Sequence, residues 1–194
     1  MLNDCWPAAS GWALIDYYTY PKAAYYSFKR CAKDIITSID REDRKVKIYL
    51  CNDSLGNASV EVCISVLDYK TNQLKTLRKY EIDCPGEKSF AADEISVDEL
   101  KENELLLCEI KNEKVTDRAF YKQGKLEIKP VEAVEIVQEG NGFIVLKAKE
   151  YVHVVQLEGE CEFEDNYFSL LPEEERVIQC MGNVKDISVN AFSL

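Results

Sequence analysis

Lys45-Val-Lys-Ile-Tyr-Leu50 and Val60-Glu-Val-Cys-Ile-Ser-Val66, with Asn52-Asp-Ser-Leu-Gly-Asn57 between them, decide the kind of fold this chain can adopt. Val46, Ile48 and Leu50 alternate with Lys45, Lys47 and Tyr49, and Val60, Val62, Ile64 and Val66 alternate with Glu61, Cys63 and Ser65. An apolar period of two, rich in β-branched residues, marks half-buried strands. The Asn, Asp, Ser and Gly between them supply turn conformations, so the pair reads as a hairpin or a strand–loop–strand corner.

Working outward, Lys75–Ile82, Leu105–Ile110 and Val115–Tyr121 repeat the strand pattern. Ser96-Val-Asp-Glu99 fits a capping box, which predicts a short helical crossing before Leu105. A second series runs through Val131–Val137, Gly142–Ala148, Tyr151–Leu157, Arg176–Cys180 and Val184–Phe192, and Glu139-Gly-Asn-Gly142 is a hairpin turn. Short strands at this spacing predict antiparallel sandwiches, one over 34–129 and a smaller one over 130–194. Gly124 and Pro130 bracket the boundary, and Pro130 cannot donate to a central ladder.

Residues 1–33 differ in character. They hold Trp6, Trp12, Tyr17, Tyr18, Tyr20, Tyr25, Tyr26 and Phe28, in a chain with 2 Trp, 11 Tyr and 7 Phe. Lys22, Lys29, Arg30 and Lys33 outnumber Asp4 and Asp16 there, although the whole chain carries −11. Pro21 to Lys33 reads as a helix, with Pro21 in its first turn and its basic residues toward the negative end of the dipole. Ala24, Phe28 and Cys31 form one apolar stripe, which is expected to bury itself against the first sandwich.

A net charge of −11 and a pI near 4.7 argue against nucleic-acid and anionic-membrane partners. No apolar run is long enough to span a bilayer, and residues 1–20 lack the pattern of a secretory leader. Cysteines at 5, 31, 51, 63, 84, 108, 161 and 180 include no C-x-x-C spacing, and His153 is the single histidine. They read as buried free thiols rather than a metal site, which points to a reducing, cytoplasmic compartment, and no cofactor is expected. His153 lies among valines on a predicted strand and reads as a sheet residue. The acidic stretches Glu158–Asp165 and Glu173–Glu175 lack calcium-loop spacing and read as solvated turns. No nucleophile elbow, P-loop or dinucleotide fingerprint occurs.

Asn3-Asp-Cys-Trp6-Pro, Trp12 and Asp16-Tyr-Tyr18 remain. Aromatic faces stack on sugar rings while Asn and Asp bond hydroxyls, so this composition suits a carbohydrate pocket, although on composition alone both tryptophans read as core residues. Asn3-Asp-Cys-Trp-Pro-Ala-Ala-Ser-Gly-Trp12, Ile15-Asp-Tyr-Tyr18 and Pro21-Lys-Ala-Ala-Tyr-Tyr26 resemble the end of the catalytic barrel of glycoside hydrolase family 2, β-mannosidase branch. The resemblance continues in Val46–Ser54 and in Glu164-Asp-Asn-Tyr-Phe-Ser-Leu-Leu-Pro-Glu-Glu-Glu-Arg176.

The resemblance implies the last strand and helix of a (β/α)8 barrel over 1–33, followed by two immunoglobulin-like sandwiches. The family's catalytic glutamates lie on earlier barrel strands, so no catalytic residue is carried over and the chain by itself is expected to be inactive. Trp6 is similar to the tryptophan that floors the sugar pocket, a stacking role confined to the intact parent. Gly11 stands between Ser10 and Trp12, where many family members run Ser-Trp directly. The implied partners are the parent's catalytic barrel and, through it, a β-mannoside-type carbohydrate. A second copy of the chain is expected to cover any apolar surface that truncation leaves bare. The alternatives are a carbohydrate-binding sandwich module, or a fragment of an exo-β-glucosaminidase of the same family, which shares the Trp-Pro and Asp-Tyr-Tyr pattern.

Overall fold

The computed structural model describes residues 2–7, 11–114, 116–184 and 186–194. Ala8–Ser10 of the aromatic segment, Val115 at the start of one expected strand and Lys185 within another lie outside the described residues. The chain is mainly β, with one short helix preceding antiparallel sandwiches. It divides into two compact units: Cys31–Leu126, and Met1–Arg30 together with Glu127–Leu194.

The first unit contains β1 (Ile35–Glu42), β2 (Lys45–Asn52), β3 (Ala58–Asp68), β4 (Gln73–Cys84), β5 (Lys88–Ser96), β6 (Glu104–Lys111) and β7 (Thr116–Lys122). One sheet has the order β1-β2-β5 and the other β4-β3-β6-β7. β2 and β3 therefore sit in different sheets, and the Asn52–Asn57 stretch is a corner. Asn52 is fully buried and holds that corner. Its Nδ2 donates to the Gly56 and Cys84 carbonyls at 3.0 and 2.9 Å, while its Oδ1 accepts from the Ser54 amide at 3.0 Å.

The alternation seen in the sequence becomes the core. Val46, Ile48 and Leu50 from one sheet face Val60, Val62, Ile64, Leu106 and Ile110 from the other. Between β5 and β6, Ser96 caps a 3-10 turn over Val97–Glu99, with both halves of the expected capping box formed. β4 keeps the strand form expected of it but lies at a sheet edge, and its first seven residues are exposed.

The second unit contains α1 (Ala23–Cys31, whose last residue falls to the other unit) and β8 (Lys129–Val131), β9 (Val134–Gly140), β10 (Phe143–Ala148) and β11 (Val152–Glu158). β12 (Cys161–Phe163), β13 (Phe168–Leu170), β14 (Glu175–Gly182) and β15 (Ser188–Ser193) complete it. Its sheets have the orders β12-β14-β10-β9 and β13-β11-β15-β8. Ile144, Leu146 and Ile178 pack against Val155, Leu157, Phe168 and Leu170 between them. The run expected as one strand over Val131–Val137 is split around buried Ala133, so that β8 and β9 belong to opposite sheets. Pro130 sits in β8, an edge strand, where its missing N–H interrupts no central ladder. Gly142 closes the β9–β10 hairpin at φ +84°, a conformation that favours glycine.

Candidate functional site

Residues 2–7 and 11–22 are held by isolated bridges and turns rather than by a regular strand. Asn3 bridges Ile15 in parallel and Ile15 bridges Pro21 antiparallel, with the Asp4 amide donating to the Ile15 carbonyl at 3.0 Å. Asp4 is buried and ion-paired with Lys22. A Cβ at Gly11 would lie 2.3 Å from the Asp4 Oδ1, so that carboxylate occupies the space a side chain would need. Asp16 closes the next turn, its Oδ1 accepting from the Tyr20 amide at 2.8 Å. Trp6 is 69% exposed and Trp12 is 100% exposed, so neither belongs to the core of this chain.

Next comes α1, and its buried face differs from the one expected. Ala24, Phe28 and Cys31 are exposed, and Met1–Arg30 forms its unit with Glu127–Leu194 rather than with the first sandwich. Tyr26 and Arg30, one helical turn apart, face the second sandwich instead. The Tyr26 ring is 3% exposed, with its centroid 6.0 Å from that of Tyr167. Burial, reinforced by the neighbouring Tyr167 phenol, pushes its own phenol up to about 12. Arg30 donates through Nη1 to the Asp165 Oδ1 at 2.5 Å and to the Asn166 carbonyl at 3.0 Å, and through Nη2 to the Tyr167 carbonyl at 3.0 Å.

The receiving loop is itself anchored. The Asp165 Oδ2 accepts from the Arg176 Nη2 at 2.6 Å, and that guanidinium lies 4.0 Å over the Phe168 ring. Buried Asn166 exchanges two 2.8 Å hydrogen bonds with the backbone of Leu157, which fixes the loop to β11. Lys29 adds a 2.7 Å bond to the Glu164 carbonyl. A fork of three donors matched to one carboxylate and two carbonyls is a specific joint that a single charge pair would not make.

Beside this joint lies a cleft of about 700 Å³, between the Tyr18–Pro21 turn and the β11–β12 connection. Tyr18, Tyr20, Tyr26 and Tyr167 contribute aromatic surface, and Glu158, Glu160 and Glu162 contribute carboxylates. A second hollow of about 330 Å³ between α1 and β12–β14 shares Pro21, Tyr26, Phe163 and Met181 with it. Cys161 also lines the cleft, and burial raises its thiol, while Cys180 behind it is pushed up to about 11 by the same cause.

His153 stands on β11, its Nδ1 2.8 Å from the Tyr151 hydroxyl, and burial lowers its pKa. It does not line the cleft. Among the described residues no group of three or more His, Cys, Asp or Glu side chains is placed to hold a metal. All eight cysteines are free thiols. Trp6 and Trp12 do not line the cleft either, so the structure gathers Tyr18 and Tyr20 into it but leaves the tryptophans outside. Sequence reading missed the Tyr26–Arg30 face because the Ala24–Phe28–Cys31 stripe carries the greater hydrophobicity. The usable signal was a basic residue one turn after a tyrosine, together with the acidic Glu164-Asp165 pair.

The family model for the mannosidase Ig-fold domain matches residues 126–192. β-Mannosidase B of Aspergillus flavus is 49% identical over 41 residues, 21% of this chain and 5% of that protein. The Emericella nidulans protein of the same name is 46% identical over the same length. In fold, the chain is similar to a β-D-mannosidase from Dictyoglomus thermophilum (TM-score 0.77, 22% identity, 97% of this chain and 25% of that one). It is also similar to an exo-chitosanase from Amycolatopsis orientalis (TM-score 0.69, 14% identity, 98% and 29%). The chain thus spans well under a third of these structural relatives, and its matches to the curated ones cover 5% of their length. The chain is thus similar over residues 126–192 to the mannosidase Ig-fold domain, over 41 residues to β-mannosidase B, and in fold to both solved structures.

Proposed function

We propose that the chain is a non-catalytic support of a β-mannosidase-like hydrolase, whose second sandwich grips the last helix of the catalytic barrel. The observation that carries this reading is that α1 has two occupied roles. Tyr26 and Arg30 bind it to the sandwich, while Ala24, Phe28 at 63% exposure and Cys31 present an apolar stripe outward. A helix with one face clasped and the opposite face apolar and bare is built to be sandwiched, and a barrel is the partner that the likeness to β-mannosidases suggests. Trp6, exposed beyond the Asn3–Ile15 bridge, would then stack on sugar in the assembled enzyme. The eight free thiols support a reducing, cytoplasmic setting.

A β-mannoside is the substrate class favoured for the parent, on the stretch shared with β-mannosidase B. The chain alone should not hydrolyse aryl β-mannosides, since glycoside hydrolysis requires an acid and a nucleophile or base opposed across a pocket. Turnover by the purified chain that disappears on changing one of its own carboxylates would refute this. In a longer polypeptide carrying this region, Arg30→Ala should shorten the thermal half-life of activity and leave kcat/KM at 25 °C unchanged. An unchanged half-life would remove the support role.

A further inference from the structure

Glu139-Gly-Asn-Gly142 closes the β9–β10 hairpin, and neither the clasp on α1 nor the cleft beside it uses this turn. Gly140 pairs with Phe143, so Asn141 and Gly142 make a two-residue loop. Asn141 is exposed, and among the described residues no hydrogen bond holds its carboxamide. Gly142, at a φ of +84°, presents its backbone nitrogen with no Cβ beside it. A carboxamide carbon next to an unshielded backbone nitrogen can close a five-membered ring.

This pairing is particular to one place. Of the ten asparagines, Asn141 is the one followed by glycine, and the other nine precede a residue whose side chain crowds the backbone nitrogen. Asn52 and Asn166 are held as well. The Asn52 Nδ2 donates to the Gly56 and Cys84 carbonyls, and buried Asn166 exchanges two bonds with Leu157.

We propose that Asn141 is a site of intramolecular deamidation, at which the Gly142 nitrogen converts the carboxamide to aspartate and isoaspartate. Solvent base takes the Gly142 amide proton, and that nitrogen attacks the Asn141 Cγ. A Cγ–N bond forms, the Cγ–Nδ2 bond breaks, and Nδ2 takes up a proton and leaves as ammonia. Water then adds to one of the two carbonyls of the succinimide, whose bond to nitrogen breaks while the nitrogen regains a proton. Opening at Cγ leaves aspartate in an unaltered chain. Opening at the backbone carbonyl leaves isoaspartate, with the chain routed through the side chain and one backbone atom longer.

The turn is already tight. A Cβ on Gly140 would lie 2.1 Å from the Phe143 Cε1, so that ring rests against the glycine, and the Cys180 amide holds the Gly142 carbonyl at 2.8 Å. An extra backbone atom therefore disturbs the register of β9 on β10. Both products also add a negative charge two residues from Glu139, in a chain that carries −11. The step needs water alone and does not depend on the support role.

The test incubates the full chain in mildly alkaline buffer at physiological temperature, digests samples in acid and maps the peptides by mass spectrometry. A protein isoaspartyl methyltransferase with a labelled methyl donor counts the isoaspartate. The peptide carrying Asn141 should convert at least about tenfold faster than that of any other asparagine. It should also take up the label, and Asn141→Gln, whose ring closure is far slower, should abolish that uptake. The converted chain should melt about 2–4 °C below both the fresh chain and Asn141→Glu, which carries the charge without the longer backbone. An Asn141 that converts no faster than exposed Asn57, or a product free of isoaspartate, would overturn the proposal. So would a converted chain that melts together with Asn141→Glu.

Discussion

Asp165 accepts one guanidinium on each oxygen, Arg30 on Oδ1 and Arg176 on Oδ2, so deleting either partner leaves a half-paired carboxylate at 14% side-chain exposure. Arg30→Ala also strips donors from the Asn166 and Tyr167 carbonyls. The expected cost is about 1.5–3 kcal/mol, the range of hydrogen bonds to charged groups, read as a lower urea midpoint at unchanged m-value. Arg30→Lys should recover part of it, because an ammonium supplies the charge without the planar fork. A midpoint for Arg30→Ala equal to that of the parent chain would show the clasp to be energetically silent. Tyr26 gives a pH counterpart. Its phenol is held neutral up to about 12 in the fold, against 10.0 unfolded. The folded state therefore retains a proton that the unfolded state loses, and this contribution is complete below pH 10 and fades as pH rises to 12. Tyr26→Phe should flatten the alkaline loss of stability over that window, measured by urea denaturation at successive pH values.

α1 and the loop after β12 show how far elements could be read from sequence. Strands with alternating apolar residues, such as β2, the first part of β3 and β10, were legible because they fill the core on alternate positions, and β6 was legible as a continuous apolar run buried from Leu105 to Cys108. β1 and β5 were not, since each fully buries only a residue or two, with Ile39, Phe90 and Ala92 only partly covered against the core. β12 and β13 have three residues each, too few for any period to register. The helix was legible as a helix, but its orientation was not, because hydrophobicity favoured the Ala24–Phe28 stripe while tertiary hydrogen bonding selected Tyr26 and Arg30. The cleft was illegible for a similar reason: its two walls lie some 140 residues apart in sequence. Asn166 tests whether the loop matters as an element. Asn166→Ala leaves the amide and carbonyl of Leu157 unpaired inside the sandwich. A loss of about 1–3 kcal/mol is expected, with faster hydrogen exchange at the Leu157 amide. Unchanged exchange there would mean that β11 holds its end without the loop.

At the scale of the molecule, charge and exposed aromatic surface oppose one another. Trp6, Trp12, Tyr17 and Phe28 are between 47% and 100% exposed, all within a segment of net charge +2, while the chain as a whole carries −11. Apolar surface of this kind attracts a cover at roughly 25 cal/mol per Å², and a second copy of the chain offers the same aromatic face. Like-charged chains resist that approach, and the resistance is screened over about 10 Å at 0.1 M salt. Self-association of the isolated chain should therefore strengthen as salt rises, the opposite of an interface held by ion pairs. Sedimentation velocity at low and high ionic strength measures this directly. Phe28→Ser and Trp12→Ser alter exposed positions and should shift the chain toward monomer without lowering its thermal midpoint. A chain that stays monomeric in high salt at high concentration would show that solvent tolerates the bare face.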